Sequence, residues 1–351
     1  MKKIVILVII SVVVFYPLKA NASDYMEETL NTAEEYNIDI DVIKDFSFEK
    51  ILTDIKEMVS QNLEQPAKLT LNLCGVLIFC AIAKTLMTGN NSENLCDTVC
   101  ILNIFLNVLN PIQHLFNMIS DNLIDVKNFM VALLPVFSGI SAASGEFMTS
   151  ALYTGIFLTG MAFVADICVN FIIPSTRLYF ALSVSDSLSP YIKLKTISEF
   201  YLKSVKWVMR SLVSAVCFLL TIQTAISQGA DTLAVKTGKV FTGTAIPVIG
   251  SVLQDAVGSV FAGMEAIKGF TGAVGIVGVF SILAPSLVLL IIYRRCFNLL
   301  YVLCSVFDMQ NIGRCVKAFA DITELMISVV ILFVTMLVLS ITVMIAMTNG
   351  V

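Results

Sequence analysis

Six polar side chains recur along one apolar run: Asn103, Asn107, Asn110, His114, Asn117 and Asp121. The steps alternate between four and three residues, so all six share one face of a helix. Amides carry donors and acceptors that need partners in hydrocarbon. Three placements satisfy them: hydrogen bonds to neighbouring helices, a helix lying on the membrane surface, or a wet pore-lining face. His114 reads as a member of this stripe rather than a catalytic base, because no acid neighbours it in sequence. A second isolated polar group is Asp166, in FVADICV, for which a functional role or a pairing with a neighbouring amide is expected.

Other chemistry finds little support. Cys96 and Cys100 share a helix face, but the chain has one histidine and no second ligand pair, so no metal is expected. The nine cysteines lie mostly in apolar runs and read as small buried apolar residues rather than a disulfide framework. There is no H-E-x-x-H, no G-x-S-x-G and no nucleotide-binding loop. No catalytic site and no cofactor are expected.

The elements that carry these residues are set by composition. The chain has 351 residues, of which 57% are hydrophobic and 14% charged, with mean hydropathy +0.89. Soluble domains carry roughly 25% charged residues, so membrane lipid is the expected solvent and the fold class is an all-α polytopic membrane protein. Lys2 and Lys3, the apolar run Ile4 to Leu18, and Ala20-Asn21-Ala22 form a secretory signal pattern over residues 1–22. Residues 23–65 hold twelve acids against three lysines, with apolar residues at helical spacing. They read as an exported amphipathic helical region, whose acidity disfavours nucleic acid as a partner. The remainder divides into the first two membrane spans (66–122), a first membrane repeat (123–228) and a second (229–351).

Six spans are expected: 69–88, 95–119, 147–173, 207–227, 270–293 and 323–347. Basic residues cluster between Ser175 and Arg210, and again at Arg294, Arg295, Arg314 and Lys317. Both clusters read as cytoplasmic, and the N-terminus as exported.

The repeat rests on proline register. Pro135 and Pro247 stand 112 residues apart, and Pro174-Ser175 and Pro285-Ser286 stand 111 apart. Around the first pair the chain reads LPVFSGISAASGE and IPVIGSVLQDAVG. Proline removes a backbone donor and glycine permits close approach, so both stretches read as interrupted segments. At membrane depth such segments must pack against protein or line a cavity; amphipathic helices on the exported surface are the competing arrangement. Pro135, Gly145, Pro247, Gly250 and Asp255 are the packing candidates. Gly272, Gly275 and Gly278 form a small-residue face for close helix approach.

At these residues the sequence resembles stage III sporulation protein AE of endospore-forming bacteria. The resemblance is carried by Thr242-Gly243-Thr244-Ala245-Ile246-Pro247-Val248-Ile249-Gly250 with Asp255-Ala256, and by Leu134-Pro135-Val136 with Ser144-Gly145. It implies a component of the secretion-like channel complex joining mother cell and forespore, in the cell membrane of the mother cell around the forespore. That complex supports forespore development and late forespore gene expression. The implied partners are other stage III sporulation membrane proteins, ring components and a cytosolic secretion-type ATPase. The alternative from the residues is a small-molecule permease whose broken helices line a substrate site.

Overall fold

The structure, a computed structural model, describes residues 57–60, 62–86, 90–143, 151, 155, 158–188, 194–245 and 250–346. For residues 90–94, 223–245, 250–266, 343–346 and a few isolated positions it describes the backbone only. The signal pattern, most of the acidic exported region, Gly145 and Pro247 lie outside the described residues.

The described chain is helical throughout: α1 (Glu64–Leu86), α2 (Asn90–Ala143), α3 (Leu158–Ile167), α4 (Ile173–Leu188), α5 (Lys195–Ala245), α6 (Gly250–Val306) and α7 (Gln310–Ala346). Among the described residues, five segments are long and apolar enough to cross a membrane: 64–86, 95–142, 159–188, 269–306 and 310–342. The expected span at 207–227 lies on α5 and extends beyond the residues whose side chains are described.

The segments differ in reach from those read in the sequence, and the prolines explain it. Pro135 does not interrupt α2, which runs through both Pro111 and Pro135 to Ala143. Nor does Pro174 end a helix. A π-helical turn at Cys168–Ile172 precedes it, with the Ile173 amide donating to the Cys168 carbonyl. The widened turn makes room for a residue that lacks a donor and would collide with the preceding turn. Nearby hydroxyls donate to carbonyls around the prolines: Ser138 to Pro135 (3.0 Å), Thr176 to Ile172 (2.8 Å) and Ser286 to Leu283 (2.8 Å). Such bonds make proline tolerable in a membrane helix. Pro174 and Pro285 both stand inside the helical runs, and each is followed by a buried serine.

α7 is the hub, packing against α2, α4, α5 and α6, with its broadest contact to α6. An aromatic chain crosses four helices through the core. Phe105 of α2 meets Phe180 of α4 (5.5 Å between centroids), which meets Phe319 of α7 (5.6 Å), which meets Phe297 of α6 (5.6 Å). Gly272, Gly275 and Gly278 are buried. A Cβ on Gly275 would stand 3.2 Å from Ile341 Cδ1 and 3.6 Å from Leu133 Cδ1, so glycine permits α6 to approach α7 and α2. By contrast α1 buries only Pro66, Leu73, Leu77 and Cys80, while Leu71, Phe79, Ile82 and Leu86 face outward. That pattern suits one seam against protein and three sides against lipid.

The α6–α7 reversal is tight. The Met309 amide donates to Cys304 O (2.9 Å) and the Asp308 amide to Ser305 O (3.3 Å), the pairing of a Schellman cap. Asp308 occupies the left-handed position at φ 52°, where glycine is strain-free. Asp308→Gly should therefore raise stability by about 1 kcal/mol, read as an upward shift of the melting temperature in detergent. A drop would show that the Asp308 contact with Gln310 Nε2 (3.3 Å) outweighs the strain.

Candidate functional site

The stripe residues stand where α2 faces away from the bundle. Asn103, Asn107, Asn110, His114, Asn117 and Asp121 are all exposed, while Ile101, Ile104, Val108, Ile112, Leu115 and Ile119 on the opposite face are completely buried. The sequence dictates both faces, since each recurs with helical period. Asn107 Nδ2 donates to Asn103 Oδ1 and to Asn103 O, both at 2.9 Å. Arg177 of α4 donates to Asn117 Oδ1 (2.9 Å) and lies over the Phe116 ring (5.2 Å). Asn110, His114 and Asp121 hydrogen-bond to no other described residue. Hydrogen bonding within the bundle therefore accounts for one end-pair and one arginine, and leaves the middle of the stripe facing out. Asp125 and Asn128 continue it at the same spacing and are also exposed; the rhythm that revealed the first six would have found these two.

Asp166 is not isolated. It lies 3.8 Å from Lys127 Nζ of α2 and is largely exposed. Two further contacts link α7 to its neighbours: Arg294 with Glu324 at 3.1 Å, and the Tyr179 hydroxyl with Asp321 at 3.4 Å.

A polar chain absent from the sequence reading closes one end of the bundle. Lys84 Nζ of α1 stands 2.9 Å from Asp97 Oδ1 of α2, and Asn311 Nδ2 of α7 donates to Asp97 Oδ2 (3.1 Å). Arg314 donates to Asn311 Oδ1 (2.6 Å) and pairs with Asp186 of α4 (3.6 Å). Both carboxylates are about nine-tenths buried. Four helices are tied at this end. Sequence offers only weak notice of it, because Asp97 and Asn311 are 214 residues apart.

Two recesses lie beside these features. A groove of about 720 Å³ runs between α1 and α2, lined by Asn72, Gly75, Phe79, Cys96, Val99 and Asn103 among others. A second, about 460 Å³, sits at the α6–α7 reversal beside Asp308, Arg314 and Lys317. Cys96 and Cys100 both border the first groove, yet among the described residues no set of three or more His, Cys, Asp or Glu side chains could hold a metal. Pro135 is exposed on α2. Gly250 and Asp255 are placed by backbone alone, in the first turns of α6.

A bundle of long apolar helices, sheathed in outward-facing leucine, phenylalanine and isoleucine, defines a multi-pass α-helical membrane protein. The chain belongs to the stage III sporulation protein AE family, whose model matches residues 33–348. It is 20% identical over 236 residues to stage III sporulation protein AE of Bacillus subtilis (strain 168). That alignment covers 66% of this chain and 59% of the relative, so the chain spans less than two thirds of the relative's length. No solved structure matches.

Proposed function

We propose that this chain is an integral-membrane structural or channel component of the sporulation complex linking mother cell and forespore, and that it supports forespore development and late forespore gene expression. In this reading it resides in the mother-cell membrane around the forespore, with its N-terminus exported after signal cleavage. Other stage III membrane proteins, ring components and a cytosolic secretion-type ATPase are its partners. The observation that carries the reading is the outward-facing polar stripe on a membrane helix, in a chain of a sporulation family. A protein that worked alone in lipid would turn those amides inward. The segments around Pro135 and Pro247 serve as packing surfaces of two tandem repeats in the same scheme.

Affinity purification from sporulating cells should recover other stage III components, and deletion should lower the yield of heat-resistant spores. Recovery of none of them together with normal spore yield would refute the role. The charge pairs Lys127–Asp166 and Arg294–Glu324 favour a second reading, a permease, since transporters carry paired charges in their spans. Saturable solute uptake by vesicles containing the purified chain alone would favour that reading.

A further inference from the structure

We infer that the Asn103–Asp121 face of α2 is where copies of this chain meet, around an axis along the bilayer normal. The inference rests on the membrane-spanning reading and not on the sporulation role. Copies inserted with one orientation can only be related by rotation about the normal, so each stripe residue faces its own equivalent at equal depth. Such a face must be complementary to itself. Asparagine and neutral histidine each donate and accept, so Asn103, Asn107, Asn110, His114 and Asn117 can bond to their own copies. A stripe of lysines or acids could not. Asp121, the first residue of the series that repels its equivalent, stands 18 positions from Asn103, about 27 Å along the helix and at the edge of a hydrocarbon core about 30 Å thick, and the next position of the series, Asp125, is acidic as well. The residue types thus change where water becomes available.

The flanks agree with a protein neighbour. Val99, Leu102 and Leu106 are exposed alongside the stripe. The α1–α2 groove opens beside Asn103, and a Cβ on Gly75 in its wall would meet nothing within 4 Å. An apolar side chain from the adjoining copy has room there. Two copies would pair their amides directly, and a larger ring would hold them around a wet axis.

The test places photoreactive benzoylphenylalanine at Asn107 or His114, and as a control at Val302, an exposed position on α6. The full chain is expressed in membranes of a bacterium that does not sporulate, so the outcome is independent of other sporulation proteins. Illumination is expected to give a product of twice the chain mass, or a ladder of multiples, from 107 and 114 and not from 302. Asn107→Leu combined with Asn110→Leu should reduce the product from position 114 several-fold without loss of inserted protein. No multimer from an inserted chain, equal yield from 302, or products with lipid or host protein alone would overturn the inference.

Discussion

Asp97→Ala is expected to lower stability by about 3–5 kcal/mol, the range for removing one partner of a buried ion pair. The carboxylate has nearly no solvent of its own, and two cross-helix partners depend on it: the Lys84 ammonium at 2.9 Å and the Asn311 amide at 3.1 Å. Alanine leaves Lys84, itself only 23% exposed, with a charge and no counter-ion. It also releases Asn311, which otherwise links Asp97 to Arg314. The effect should therefore spread to the contact between α1 and the rest of the bundle. Thermal or denaturant unfolding in detergent measures the loss. Replacing both partners, Lys84→Met with Asp97→Leu, should recover much of it, because an apolar pair of similar volume leaves no stranded charge. A change below about 0.5 kcal/mol for Asp97→Ala, the level typical of a surface position, would show that the chain of contacts is not holding the helices.

Phe319→Ala should cost roughly 2–4 kcal/mol. Phe319 is fully buried on α7 and touches Phe180 and Phe297, each at 5.6 Å between centroids, so its removal opens the middle of a four-helix contact. In a membrane the transfer from water falls away, since lipid is as apolar as the core. What remains is lost dispersion contact and an unfilled cavity. Phe319→Leu, which refills most of the space, should lose far less. Equal losses for alanine and leucine would place the effect in aromatic geometry rather than volume. No loss for alanine would mean that the core collapses around the gap.

Helical period carried the reading of α2 a long way, because side chains of one face must recur at three and four. It assigned six polar residues to one side. It could not say which way that side turned, since orientation depends on what α4, α6 and α7 place against the opposite face. The interruption expected at Pro135 was misjudged for a related reason. Proline fixes φ near the helical value, and its missing bond is replaced locally by hydroxyls such as Ser138. The end expected at Pro174 moved to Leu188 because a π turn absorbs the clash, and no local pattern announces that turn. Asp166 read as lone because Lys127 lies elsewhere in the sequence. The thiols were legible: Cys80, Cys100, Cys168, Cys304 and Cys315 are buried as small apolar residues, although Cys217 is exposed. The Asp97 network was not, because it consists of single polar residues on four helices. Family membership was legible in residues 242–256 together with Leu134-Pro135-Val136 and Ser144-Gly145, and it rests on the sequence match over residues 33–348.

The lengths of α5 and α6 have a mechanical consequence. The two helices pack against each other, and α6 continues for 17 residues on the N-terminal side of Ile267, where it is still buried against Val136 and Ile140 of α2. At 1.5 Å per residue that is an arm of about 26 Å. A rocking of the membrane body by about 10° would sweep its far end through about 4.5 Å on such an arm, close to the 5.4 Å pitch of a helix turn. Small adjustments among tightly packed helices would thus become displacements large enough for another protein to register.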